Sequence, residues 1–170
     1  ADYFENEISE NLGAVLGFAK NASLQEAACY ENRGSDKPLH AVKPRLLETA
    51  EFADKIGAKR LGLAFCTGLR NEAKITSDFF ESRGFEVASL ICKAGHIEKE
   101  VLGLSDSEKL RPGNFESMCH PVAQAMIFNK LRTDLNVVLG LCVGHDSLFF
   151  KFSEAPVTVL VAKDRATGHN

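Results

Sequence analysis

The stretch that decides the fold runs from Arg60 to Ile91 and reads RLGLAFCTGLRNEAKITSDFFESRGFEVASLI. It begins with the run RLGLAF, which is apolar and bounded by polar residues, as expected of a short buried strand. Asn71 to Arg83 then have the pattern of a helix, and Gly84 is placed to end that helix. Phe85 to Ile91 form a second apolar run. Strand, helix and strand in this order predict a βαβ unit with two parallel strands.

The same alternation continues towards the C-terminus. Lys93 to Met118 are polar and contain glycine and proline, which predicts a long excursion with at most a short helix. Beyond it the pattern predicts a helix from Pro121, a strand at Asn136–Leu141, one or two helical turns at Asp146–Phe152 and a strand at Val157–Ala162. Nearly continuous apolar strands separated by helices indicate a parallel sheet covered on both faces. We therefore expect an α/β fold with a roughly four-stranded, mostly parallel sheet and helices on both faces.

A helical segment is predicted in front of this core. Tyr3 to Lys20 carry apolar residues at three- and four-residue steps, so that one helix face can be buried. Ser23 followed by Glu26 has the spacing of a capping box, which predicts the start of a second helix. We expect one domain over the whole chain, with an N-terminal helical segment at residues 1–43 and the strand–helix core at residues 44–170.

The composition limits the classes of function. The chain has 170 residues, of which 45% are hydrophobic and 25% charged, as is typical of a folded globular protein. A formal net charge of −3 and the absence of a basic cluster argue against a nucleic-acid surface. The apolar runs are strand-sized, whereas a membrane span needs roughly 20 apolar residues. With no signal-peptide pattern at the N-terminus, we expect a cytoplasmic protein that binds neither nucleic acid nor membrane.

Cysteines occur where the predicted strands end. Cys66 follows the first strand directly, Cys92 ends the second, and Cys142 ends the third. Right-handed crossovers bring the carboxyl ends of parallel strands to one edge of the sheet, where open α/β sheets bind ligands. Cys119 precedes the Pro121 helix and reaches this edge if the excursion folds back to it. The sequence therefore predicts a group of thiols at the carboxyl edge.

Other polar residues accompany these thiols. His145 lies three residues after Cys142 and is a candidate ligand or general base, with Asp146 beside it to orient the ring. His120 adjoins Cys119, and a helix N-cap explains it equally well. Arg70 is either a surface residue or an anion contact at the rim. We treat His145 as an alternate ligand, and His120, Asp146 and Arg70 as candidate supporting residues.

Several chemistries need such a group of thiols. Four thiolates, or three with a histidine, complete a zinc or iron–sulfur site, whereas magnesium and calcium prefer oxygen ligands. The leading hypothesis is a metal-binding protein with Cys66, Cys92, Cys119, Cys142 and His145 as candidate ligands. The alternative is a thiol or redox enzyme with Cys66 or Cys119 as nucleophile and His145 as base, since a helix N-terminus favours a thiolate. A small-molecule-binding module using the same crevice is a third hypothesis, and the sequence leaves open whether the protein is an enzyme.

The sequence also resembles a family of uncharacterised, cysteine-rich, predicted metal-binding proteins of bacteria and archaea, classified as a domain of unknown function. The matching segments are AFCTGLR at Ala64–Arg70, CHPVAQA at Cys119–Ala125 and VLGLCVGHDSLFFKF at Val138–Phe152, and the similarity extends from about Cys29 onward. The resemblance implies a metal site, with family cysteines at the positions of Cys66, Cys92, Cys119 and Cys142. Two features depart from the family pattern. Residues 1–28 lack the additional cysteines that members commonly carry, and many relatives have asparagine at the position of His120.

Overall fold

A computed structural model describes the backbone of residues 2–169 and the side chains of residue 13 and residues 15–169. Contacts divide the chain into two compact units, which meet in sequence between Ala58 and Lys59. The helix after Pro44, which the sequence pattern grouped with the strand–helix core, falls in the first unit. That both units belong to one domain stays a prediction.

The first unit contains two helices and a small antiparallel ladder. Its elements are α1 (Asp2–Ala28), β1 (Tyr30–Glu31), β2 (His40–Ala41) and α2 (Arg45–Lys55). The prediction of a second helix starting at Ser23 is wrong, because α1 runs through this position without a break. No glycine or proline lies between Lys20 and Ser23 to end a helix, so the capping-box spacing occurs inside one. The ladder pairs Tyr30 with Ala41 and Glu31 with His40.

The apolar residues of α1 are only partly buried. Val15 and Leu16, which were expected on a buried face, are 52% and 57% exposed. Phe18 packs edge-on against Phe52 of α2, with ring centroids 5.1 Å apart. The predicted apolar residues at positions 4, 8 and 12 lie outside the described side chains. Among the residues that the structure describes, no helix combines the length and the apolar character needed to cross a bilayer.

The second unit contains the sheet. Its four strands lie in the order β4-β3-β5-β6 and all neighbouring pairs are parallel, which confirms the predicted α/β fold. Near-continuous burial of β3 and β5 agrees with their place in the centre of the sheet. The elements of this unit are β3 (Arg60–Phe65), α3 (Arg70–Ser82), β4 (Glu86–Ile91), α4 (Pro121–Leu131), β5 (Leu135–Leu139), α5 (His145–Phe152) and β6 (Val157–Val161).

Helices cover both faces of this sheet. The connection from β3 to β4 runs towards one edge, whereas those from β4 to β5 and from β5 to β6 run the other way. Right-handed crossovers then place α3 on one face and α4 and α5 on the other. Packing agrees with this, because a Cβ atom on Gly62 of β3 would come within 2.7 Å of the Phe128 ring of α4. Adjacent residues such as Leu61 and Leu63 point to the opposite face.

The excursion between β4 and α4 is ordered by its own contacts. It contains two short 3₁₀ turns, Lys99–Leu102 and Asp106–Glu108. The Lys109 ammonium lies 2.7 Å from a carboxylate oxygen of Glu100 and 2.7 Å from one of Asp106. Near its end the Met118 N–H donates to the Ile97 carbonyl at 2.7 Å, so that the chain returns to the end of β4.

Candidate thiol site

The carboxyl ends of β3 and β5 form the point where the sheet topology reverses. These strands are neighbours, but the connections that leave them pass to opposite faces. Such a crevice is the usual ligand-binding position of an open α/β sheet. Cys66 lies in it, because its N–H donates to the Leu139 carbonyl at 3.1 Å and extends the pairing of β3 with β5. The Cys92 N–H donates to the Phe65 carbonyl at 2.8 Å and extends the pairing of β4 with β3 in the same way.

Cys119 reaches the same edge, as the sequence analysis expected if the excursion folded back. The His120 N–H donates to the Cys92 carbonyl at 2.7 Å, and the Gln124 side chain donates to the Leu90 carbonyl at 2.7 Å. These bonds hold the start of α4 against the end of β4. The Sγ atoms of Cys119 and Cys92 are consequently 3.8 Å apart.

Three of the predicted site residues therefore form one chain of sulfur contacts. The Cys92 thiol is hydrogen-bonded to Cys119 on one side, and on the other it interacts with Cys66 closely enough to shift the pKa of both thiols. The Thr67 N–H also points to the Cys92 Sγ at 3.4 Å. Cys66 and Cys92 are buried, whereas Cys119 is only partly buried. Solvent thus meets this chain of thiols at its Cys119 end.

The three thiols differ in acidity. The hydrogen bond to Cys92, followed by burial, raises the pKa of Cys66 to about 12. The pKa of Cys92 is raised as well, mainly through its hydrogen bond with Cys119. The pKa of Cys119 is lowered, because Cys92 stabilises the Cys119 thiolate by donating to it. A first deprotonation of the cluster therefore occurs at its accessible end.

Two cations from the segment after β6 contact the thiols. The Lys163 Nζ lies 3.1 Å from the Cys66 Sγ, and the Arg165 Nη2 lies 3.0 Å from the Cys142 Sγ. The intervening Asp164 shapes the segment, because its carboxylate accepts the N–H groups of Ala166 and Thr167. No role was predicted for Lys163 or Arg165 from the sequence pattern. The available signal was the position of Lys163 and Arg165 directly after the fourth strand, at the same edge as the thiols.

His145 opens α5 beside Cys142. Its N–H donates to the Cys142 carbonyl at 2.9 Å, and its ring Nδ1 is buried without a hydrogen-bond partner in the described part of the chain. Burial, as the main cause, lowers the pKa of His145. The Asp146 carboxylate accepts from the Gly144 and Ser147 N–H groups at 3.0 and 2.7 Å, so it closes its own turn. Its predicted role of orienting the His145 ring stays a prediction.

The two remaining candidates, His120 and Arg70, lie at the starts of helices. The His120 Nδ1 accepts the Ala123 N–H at 3.1 Å and caps α4, which is the alternative explanation that the sequence offered for this residue. Arg70 is the first residue of α3 and is exposed. Neither has a hydrogen bond to a thiol among the residues described.

The predicted ligands are not assembled as one coordination sphere. Cys66, Cys92 and Cys119 are linked to one another, whereas Cys142 contacts Arg165. Over residue 13 and residues 15–169, no group of three or more Cys, His, Asp or Glu side chains is positioned to hold a metal ion. Metal binding therefore requires side chains at this edge to move.

Comparison with known proteins identifies the family. A family model described as "Protein of unknown function (DUF1847)" matches residues 4–160. The chain belongs to this family. It is also 42% identical over 151 residues to "Uncharacterized protein MJ0455" of Methanocaldococcus jannaschii, a match that covers 89% of this chain and 74% of that protein. No solved structure matches the chain.

The DUF1847 match confirms the resemblance to a family of unknown function, and the relative from Methanocaldococcus jannaschii is archaeal. The metal site that the resemblance implies stays a prediction. One cleft of this DUF1847 protein lies between the end of β4 and the excursion. It has a volume of about 300 Å³ and is lined in part by Lys93, which follows Cys92, and by Arg111 and Phe115 of the excursion. No cysteine among the described residues lines this cleft, and the hypothesis of a small-molecule module at the thiol crevice stays a prediction.

Proposed function

We propose that the protein binds a thiophilic metal ion or cluster at the carboxyl edge of its sheet. Cys66, Cys92 and Cys119 are the proposed ligands, with Cys142 as the fourth. The observation that supports this best is the 3.8 Å distance between the Cys92 and Cys119 sulfurs. Two thiolates that share a tetrahedral zinc ion at about 2.3 Å each lie about 3.8 Å apart.

The donor chemistry favours zinc or an iron–sulfur cluster. Thiolates select these groups, whereas calcium and magnesium select oxygen. His145 is the alternate ligand, since its buried Nδ1 has no hydrogen-bond partner in the described part of the chain. The lowered pKa of His145 also keeps its ring neutral, as ligation requires.

The two cations offset the charge of such a site. Four thiolates around one zinc ion leave a net charge of about −2, which needs compensation at a partly buried edge. Lys163 and Arg165 already contact two of the four sulfurs. Because the pKa of Cys66 is about 12, binding must displace a proton from this thiol. Metal affinity is therefore expected to rise with pH.

Metal analysis tests this proposal. Protein purified without oxygen or chelators is expected to contain about one zinc ion per chain, or iron and sulfide with a visible chromophore. Replacing any of the four cysteines by serine should lower the metal content. Cys29→Ser is the matched control, because Cys29 belongs to the first unit. Metal-free protein that takes up neither zinc nor iron and sulfide on reconstitution would contradict the proposal.

One observation favours the thiol-enzyme alternative. Cys119 is partly accessible and its pKa is lowered, as a nucleophilic thiol requires. Cys92 rather than His145 activates Cys119, because the His145 ring makes no hydrogen bond to a cysteine thiol among the described side chains. Alkylation of the native protein at neutral pH should then modify Cys119 before Cys66 and Cys29. Equal rates at Cys119 and Cys29 would end this alternative.

A further inference from the structure

We propose that Cys92 and Cys119 form a reversible disulfide by exchange with a low-molecular-weight disulfide such as glutathione disulfide. This proposal goes beyond the metal site, because the exchange needs no metal. It rests on two sulfurs 3.8 Å apart that differ in their access to solvent.

The backbone already holds the pair together. The His120 N–H donates to the carbonyl of Cys92 itself, and the Gln124 side chain donates to the carbonyl of Leu90. The residue beside Cys119 is thus bonded to Cys92. A disulfide requires Cα atoms within about 4.4–6.8 Å and a sulfur separation of about 2.05 Å. The 3.8 Å distance between the two sulfurs exceeds this bond length by less than 2 Å.

The two sulfurs have different surroundings. Cys119 is partly exposed, so that a dissolved disulfide can reach it. Cys92 is 2% exposed and its Sγ accepts the Thr67 N–H, which keeps it behind Cys119. An accessible attacking thiol with a buried resolving thiol behind it is the arrangement that internal exchange needs. Cys66 also contacts Cys92, but it is buried and bonded to Lys163.

The chemistry proceeds in two balanced steps. The Cys119 thiolate attacks one sulfur of the small disulfide, forms a mixed disulfide and releases one small thiolate. The Cys92 thiol then loses its proton to solvent and attacks the Cys119 sulfur, which releases the second small thiolate. Cys92 and Cys119 together lose two electrons, and the small disulfide gains both. An excess of reduced small thiol reverses both steps.

The test uses the full chain, once as purified and once after chelator treatment. Both samples are equilibrated with reduced and oxidised glutathione at several ratios, quenched, and mapped by mass spectrometry. The chelated protein should show a link between the peptides of Cys92 and Cys119, lost as reduced glutathione is increased. Cys29→Ser, which changes a cysteine of the first unit, should leave this link unchanged.

Variants of the pair resolve the order of the steps. Cys92→Ala should trap glutathione on Cys119, whereas Cys119→Ala should leave Cys92 unmodified; circular dichroism checks that both are folded. A link between Cys66 and Cys92 in the wild type, or no link at any ratio, would overturn the proposal, and both results can be read without a variant. The outcome is distinguishable from that of the metal proposal. If the protein contains no metal but forms the Cys92–Cys119 link, the exchange proposal stands and the metal proposal fails. If the protein contains metal but forms no link after chelation, the exchange proposal is refuted.

Discussion

The two edges of the sheet are built from different chemistry. At the amino edge, the Asp134 carboxylate accepts the N–H groups of Lys59 and Arg60, both at 2.8 Å, and the Arg60 guanidinium pairs with Glu86 at 2.8 Å. At the carboxyl edge, the chain of contacts joins Cys66, Cys92 and Cys119.

This difference separates a structural edge from a chemical one. At the amino edge, where the strands begin, the ionised Asp134 carboxylate links two strand ends by accepting backbone N–H groups. At the carboxyl edge neutral thiols contact one another weakly and keep their capacity to bind or react. The amino edge should therefore be sensitive to acid and the carboxyl edge to alkali. Three predictions test this contrast between the two edges, from the largest expected effect to the smallest.

The first prediction compares two glycines, Gly62 inside β3 and Gly68 just beyond the carboxyl end of that strand. A Cβ at Gly62 would lie 2.2 Å from the Asn136 Oδ1 and 2.7 Å from the Phe128 ring, so Gly62→Ala should cost about 2–3 kcal/mol in unfolding free energy. At Gly68 the nearest atom is the Lys163 Nζ at 3.6 Å, an ordinary van der Waals distance, so Gly68→Ala should cost less than about 1 kcal/mol. Denaturant unfolding measures both. Similar losses for the two variants would show that packing does not distinguish them.

The second prediction concerns acid. The N–H groups of Arg60 and Lys59 lower the pKa of Asp134. The ionised Asp134 carboxylate therefore contributes fully to folding stability when the pH is above the unfolded-state pKa of about 3.9. This contribution is lost as the pH falls through the lower pKa of the folded state. Asp134→Asn should cost about 1–2 kcal/mol at neutral pH and flatten the acid limb of stability against pH. Asp78→Asn, which removes a surface carboxylate paired with Lys74, is the control and should change little.

The third prediction concerns alkali. The folded-state pKa of Cys66 is about 12, whereas an unfolded cysteine titrates near 8.5. The stability that depends on protonated Cys66 is thus complete below about pH 8.5 and declines as the pH rises towards 12. Unfolding curves from pH 7 to 10 should fall less steeply for Cys66→Ala than for the wild type. For Asp134→Asn the free energy of unfolding should change with pH in this range as it does for the wild type. A changed slope in this variant would show that the two edges do not differ in their response to alkali.

The sheet and three of its thiols could be predicted because their signals are local. Apolar runs identify β3, β4 and β5, and a cysteine at or just beyond each run needs only parallel topology to reach the carboxyl edge. Cys119 is different. Its place depends on hydrogen bonds between His120 and Cys92 and between Gln124 and Leu90, which no local pattern indicates.

Other features were missed for comparable reasons. The ladder of β1 and β2 has two residues per strand, too few to show a periodic pattern. The Ser23–Glu26 spacing is equally compatible with a helix interior, and α1 continues through it. Lys163 and Arg165 reach the thiols through a turn that Asp164 organises, and this depends on side-chain bonds within the segment.

The excursion has ends that meet. The chain leaves the sheet at Cys92 and returns at Cys119, 27 positions later, where the two sulfurs are 3.8 Å apart. Because the entropic cost of closing a loop grows only logarithmically with its length, lengthening a segment whose ends are held together adds little to the cost of forming the sheet. The length of the excursion is therefore expected to vary more among relatives than the spacing of the strands. The exposed residues Arg111 to Asn114, within the excursion and away from this neck, are therefore a suitable place to insert a reporter or a second domain without disturbing β3, β5 or β6.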